Sequence, residues 1–158
     1  MKSTDIYSQG AKANHSGSMS EGSINDRLTA IGCSPQKREY PSSWSNRSVV
    51  DCELLSLGIV AEYKNQNVSG SADQKGGTEL FNAGQTLKCN HYIIVYSGSH
   101  WETARGRDMI AMYKKMATCM MRHPETFCVA AKKVSVMREN EFVDFIRGQQ
   151  QKIRLAAS

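Results

Sequence analysis

The stretch VVDCELLSLGIVAEYKNQNVSGSADQK, residues 49–75, decides how this chain is read. Two short apolar segments, 48–55 and 59–64, are joined by Ser56-Leu57-Gly58, and their length and β-branched content predict a pair of strands. Each carries charge where burial is costly: Asp51 on the first, Glu62 and Lys64 at the end of the second. Strand alternation puts residues 62 and 64 on one face and Tyr63 on the other. If the strands pair through the Ser-Leu-Gly turn, Asp51 comes beside Glu62. Two neighbouring carboxylates repel unless a cation lies between them. Hard oxygen ligands at a sheet edge, with room for water, suit Mg²⁺ better than Zn²⁺. A lysine on the same face can orient water or stabilise charge on a phosphate. Together these parts point to metal-assisted phosphodiester hydrolysis. Glu53 shares a face with Asp51 and is its rival as a ligand; the spacing favours Asp51.

Working outward, Ile24, Leu28 and Ile31 recur at helical spacing from Ser20, with Glu21 in the first turn and Gly32 at the end. The segment SPQKREYPSSWSN (34–46) implies a short strand over Lys37–Tyr40 followed by a loop. Ser71 with Gln74 resembles a capping box for a helix over 72–87, against which Gly76 and Gly77 each count by about 1 kcal/mol. HYIIVYSGS (91–99) suits a buried central strand. Met109, Met112, Tyr113, Met116 and Met120 form a stripe at helical spacing, a core face or a dimer surface, and Pro124 closes that element. FCVAAKKVSVM (127–137) reads as a strand, and NEFVDFIRGQQQ (140–151) as a closing helix capped by Asn140. Residues 1–18, rich in Ser, Gly, Lys and Asn, read as a flexible arm, and 19–158 as one domain. This order of elements predicts an α/β fold, a mixed sheet flanked by helices.

The chain of 158 residues is 40% hydrophobic and 22% charged, which argues against global disorder. A formal charge of +5 and a pI near 9.0 favour an acidic partner, nucleic acid first. Five scattered cysteines without a CxxC pair imply a reducing compartment and free, mostly buried thiols. Cys119, His123 and Cys128 have the wrong spacing for a zinc knuckle. No apolar run approaches membrane-spanning length and the N-terminal segment lacks the apolar stretch of a secretion signal, so a cytoplasmic protein is expected.

Asp51 followed by Glu62-Tyr63-Lys64 resembles the PD-(D/E)xK nuclease superfamily. The continuation EYKNQNVSGSADQK is similar to the Glu-x-Lys-x-Gln, Ser-Gly-Ser/Thr, acid, Lys succession of some restriction-like endonucleases. At motif level the resemblance covers 51–75; at fold level it covers 18–137. Val50 stands where many members have proline. The resemblance implies a restriction-endonuclease-like fold and an Mg²⁺-dependent DNA endonuclease, with Mn²⁺ able to substitute. It implies Asp51 and Glu62 as metal ligands and Lys64 as the catalytic lysine. Gln66, beyond Lys64 on the same strand, is expected at the attacking water or a phosphate. Glu21 matches an additional acid that completes the metal shell through water. Lys75, Arg105 and Arg107 are expected to contact DNA, a solvated basic face being the alternative for each. Trp101 either wedges against DNA or packs on the sheet. Cutting both strands with one site per chain implies a homodimer. A homing, junction-resolving or repair nuclease of the same fold remains open, as does a catalytically silent DNA-binding module.

Overall fold

Seven consecutive residues, His91–Ser97, are buried on both sides, which only a strand covered on each face can be. In the structure, a computed structural model describing residues 21–40, 48–67, 77–78, 80 and 88–157, this segment is β4. Before it come helix α1 (21–30), β1 (Gln36–Tyr40), β2 (Ser48–Leu54) and β3 (Ile59–Asn65); after it come α2 (Ala104–Arg122), β5 (Val134–Arg138) and α3 (Glu139–Ala156). The strands form one five-stranded mixed sheet in the order β1-β2-β3-β4-β5. The first three alternate antiparallel, while β3, β4 and β5 run parallel. The fold is therefore α/β, a mixed sheet with helices on both faces. Among the described residues, no helix is long and apolar enough to cross a membrane.

The two cores follow strand alternation. Tyr92, Ile94 and Tyr96 of β4 meet Val60, Val134, Val136 and the α2 residues Ile110, Tyr113, Ala117 and Met120 on one face. Ile93 and Val95 meet Ala61, Tyr63, Ile24 and Leu28 of α1, and Phe142, Val143 and Ile146 of α3 on the other. Phe142 and Ile146 are fully buried, each contributing about 2–3 kcal/mol through apolar burial. Parallel strands require a crossover. Residues 77, 78 and 80, between β3 and β4, are helical, and Leu80 is buried on the α2 face.

Local chemistry explains the boundaries. Leu55–Leu57 makes one 3₁₀ turn between β2 and β3, closed by Gly58 at φ 62°, ψ 30°, a left-handed conformation that favours glycine. Thr103 caps α2 by accepting from the Gly106 amide at 3.1 Å. The buried face of that helix is Gly106, Ile110, Tyr113, Ala117 and Met120, which keeps Tyr113 and Met120 of the expected stripe and turns its other members aside. Met112 is 48% exposed and Met109 and Met116 sit at the margins. Gly106 can turn inward because it has no Cβ, which there would lie 2.4 Å from the His100 carbonyl oxygen; the close approach of backbones sets the helix rotation.

Three other expectations are corrected. The fifth strand begins at Val134, not Phe127, because the preceding amides are committed to turns: Val129 N donates to Pro124 O at 2.9 Å, and Cys128 adopts φ 51°. Helix α3 begins at Glu139 with Arg138 as its cap residue, and Glu141 Oε2 accepts from the Arg138 amide at 2.8 Å; Asn140 lies inside the first turn. The five free cysteines are not mostly buried: Cys33 and Cys52 are, whereas Cys119 and Cys128 are exposed. The 1–18 arm, the Ser71–Gln74 pair and Lys75 lie outside the described residues.

His91 ties β4 to β5. Its Nε2 lies 2.8 Å from Ser135 Oγ and its ring meets Phe145 edge-on. Burial, aided by the nearby Lys133, pushes its pKa down to about 4 from 6.5. Its folded form is thus neutral, and between pH 6.5 and 4 only the unfolded chain takes up the proton. The contribution is complete above pH 6.5 and is lost as pH falls towards 4, amounting to about 3 kcal/mol at most. Urea unfolding of wild type and His91→Gln at pH 7.5, 5.5 and 4 checks this. Wild type is expected to lose stability more steeply across that window, and parallel slopes would contradict it.

Candidate active site

The β2–β3 register sets Leu54 opposite Ile59, Glu53 opposite Val60 and Cys52 opposite Ala61. The registered pairing ends there, with Asp51 and Glu62 next along their strands. There a side chain enters the pairing: Asp51 Oδ2 accepts the Tyr63 amide at 2.7 Å. On the β1 side, Gln36 partners Glu53 and Arg38 partners Val50, so β2 spends three steps where β1 spends two. The extra residue is a bulge at 51–52, a device that bends a strand and re-aims a side chain. Val50 consequently packs in the α2 core while Cys52 packs in the α1 core.

Lys64 Nζ donates to Glu62 Oε1 at 2.9 Å, and both side chains are largely buried. Glu21, at the start of α1, takes Lys37 Nζ of β1 at 2.8 Å. Burial pushes the Asp51 carboxyl above the ordinary range, the Tyr63 amide pulls it down, Glu21 pushes it up, and Lys64 and Lys37 oppose that. Lys37 is held upward, first by its hydrogen bond to Glu21 and also by the fields of Asp51 and Glu62. Glu21, Asp51, Glu62, Lys64 and Lys37 therefore form one electrostatic cluster where β1, β2, β3 and α1 meet. Glu53 has another partner: it is 8% exposed and bound to Arg38 Nη1 at 2.7 Å.

Beneath this cluster the backbone is firmly held. Tyr63 is buried, its ring edge-on to Phe142 and its hydroxyl donating to Asn25 Oδ1 at 3.0 Å. The end of β3 is clamped by the end of β4: Gln66 N donates to Ser97 O at 2.9 Å, and Gln66 O accepts from His100 N at 3.1 Å. Gln66 is a buried residue one position past β3 rather than a strand residue beside Lys64. Trp101 packs inward, 1% exposed and 4.4 Å from the Tyr96 ring, which removes it as a wedge for DNA. Arg105 and Arg107 are exposed in the first turns of α2, at the sheet end where β3 and β4 finish. Arg107 Nη1 donates to the Glu102 carbonyl.

Lys37 and the bulge are what sequence reasoning missed. Their one signal, alternating charge in Gln36-Lys37-Arg38-Glu39, fits any exposed strand; the meaning comes from the pairing of β1 with β2.

Mg²⁺ commonly takes one or two carboxylates and completes its shell with water and substrate oxygens. Asp51 and Glu62, carried by adjacent strands and partly buried, fit such a donor set. Among the described residues, no three or more His, Cys, Asp and Glu side chains gather into an all-protein cage. A recess of about 440 Å³ lies between α2 and β5, lined by Lys114, Ala117, Val136 and Glu141 among others, and away from the cluster. The chain matches no protein-family model, curated protein or solved structure among those compared.

Gly98 makes the clamp under the site possible. It sits at φ 101°, and a Cβ there would lie 2.4 Å from Gln66 O and 2.7 Å from Asn65 Oδ1. Gly98→Ala is expected to destabilise the fold by about 2–4 kcal/mol through strain and the forced opening of the β3–β4 clamp. Urea midpoints read this directly, and a loss below about 1 kcal/mol would contradict the clamp.

Proposed function

We propose that this chain is a divalent-metal-dependent DNA endonuclease of restriction-endonuclease-like architecture. Its Asp51 and Glu62 hold Mg²⁺, or Mn²⁺ in its place, and Lys64 acts on the reacting groups. The observation that carries the reading is the Asp51 carboxylate on the amide of Tyr63, the residue between the paired Glu62 and Lys64, where the bulged β2 meets β3. A solvated strand with alternating charge does not need a partly buried carboxylate inserted into its ladder. The mixed sheet, with a meander followed by parallel strands, is consistent with the architecture that the PD-(D/E)xK resemblance implies.

A divalent ion bound there neutralises phosphate charge and makes water a competent nucleophile near neutral pH. Asp51 contributes a carboxylate whose position is fixed by the main chain. Lys64, anchored on Glu62, presents an ammonium that orients water and donates to a phosphate oxygen. The bond that forms joins water oxygen to phosphorus and the bond that breaks is P–O3′. The water proton passes to solvent, O3′ takes one back, and the ends are a 5′-phosphate and a 3′-hydroxyl. Glu21 would add its charge in support of the ion, and Gln66 acts through its place at the end of β3. The net charge of +5, with Lys75, Arg105 and Arg107 on the backbone, supplies a salt-sensitive grip on DNA. Two copies facing one duplex cut both strands.

The test is incubation of the purified chain with supercoiled, linear and four-way-junction DNA in Mg²⁺, Mn²⁺ or EDTA, beside Lys64→Ala. Cleavage is expected in both metals and absent in EDTA. It should fall by roughly 100-fold or more in the variant while DNA binding persists. Preference for specific duplex over junction supports the restriction-type role. Binding without cleavage in either metal would replace the enzyme by a silent DNA-binding module.

A further inference from the structure

Lys37 enters the cluster from outside the sequence motif. Because Gln36 lies opposite Glu53 and Arg38 opposite Val50, Lys37 faces the bulge that carries Asp51. Neighbours on a strand point to opposite faces, and the ion pairs follow that rule: Arg38 goes to Glu53 at 2.7 Å and Lys37 to Glu21 of α1 at 2.8 Å. The Lys37 ammonium therefore stands within the fields of three carboxylates, Glu21, Asp51 and Glu62, while Lys64 lies on Glu62. Three acids against two ammonium groups leave the cluster negative. The Lys37 side chain is 58% exposed, and an ion pair so open to water is held weakly. A flexible four-carbon stem lets it move without disturbing the strand.

We propose that Lys37 is a stand-in cation, a positioning residue that holds Glu21 while the cluster lacks a divalent ion and transfers to a DNA phosphate when the ion enters. The inference rests on the nuclease reading of the same site and adds a residue and an order of events to it. A divalent ion and the lysine repel each other inside one cluster, so binding of the ion drives the lysine off Glu21. Backbone phosphate supplies its next partner, and the lysine then counts among the contacts that make DNA binding salt-dependent.

Two substitutions test this, Lys37→Met removing the charge and Lys37→Arg keeping it. Mn²⁺ is titrated into each folded protein without DNA, with free Mn²⁺ followed by electron paramagnetic resonance. Duplex binding is then measured in Ca²⁺ across a range of salt. Lys37→Met is expected to bind Mn²⁺ about 3- to 10-fold more tightly, since a competing cation has gone. Its salt slope for DNA is expected to be shallower by about one. Lys37→Arg is expected to keep both properties close to wild type. If wild type binds Mn²⁺ and cuts DNA but Lys37→Met shows unchanged or weaker Mn²⁺ affinity, or an unchanged salt slope, the stand-in role is overturned and the nuclease reading survives. If wild type binds no Mn²⁺ and cuts nothing, both fall together.

Discussion

Asp51 Oδ2 accepts the Tyr63 amide at 2.7 Å, so a side chain takes a place in the ladder that an adjacent strand's carbonyl would otherwise fill. Much of the candidate site depends on that substitution. A backbone N–H seldom stays without a partner in a folded protein, and here the partner is a carboxylate fixed by main-chain geometry. The bulge in β2 makes it possible by releasing one residue from its pairing with β1. Tyr63 in turn is immobilised from behind by Phe142 and Asn25, so the donor has little freedom. A carboxylate positioned this way is held by the main chain rather than by its own rotamer alone.

The electrostatics point the same way. Burial and Glu21 both push Asp51 towards its neutral form, and two lysines oppose them. Removing either lysine's charge without supplying another cation leaves acids close together in a partly desolvated place, an arrangement that costs stability. The site is thus a negatively biased cluster on a rigid floor. That floor is β4, buried along its full length and joined to β3 through paired positions from Ile59–His91 to Asn65–Ser97. Precise placement of charge requires such support, because a displacement of even one ångström weakens the interactions that matter in a transition state.

What the sequence made legible is what local pattern controls. The apolar run Tyr92–Tyr96 of β4, the spacing of Ile24 and Leu28 in α1, and the Ser-Leu-Gly turn with Gly58 in a left-handed conformation are properties of neighbouring residues. The mixed sheet flanked by helices followed from them. The charged motif was legible as a pattern too: Asp51, Glu62 and Lys64 stood out because acids at the ends of apolar strands are costly. The rest depended on how distant segments meet. Met112 proved exposed because the rotation of α2 is set by Gly106 against the His100 backbone, not by the count of methionines. The run 127–133 has strand-like composition but spends its amides elsewhere, Val129 on Pro124 in a turn and Lys132 on Cys89 just ahead of β4. Lys37 belongs to the cluster through the register of β1 on a bulged β2, which no spacing within either strand encodes.

The central claim is that Asp51 and Glu62 together hold a divalent ion. Anomalous scattering from crystals grown or soaked with Mn²⁺ tests it most directly. The account predicts a peak in contact with the carboxylates of both Asp51 and Glu62, and its disappearance in Asp51→Asn crystals treated alike. A map with no Mn²⁺ at these two side chains, or a peak that persists unchanged without the Asp51 carboxylate, would contradict it.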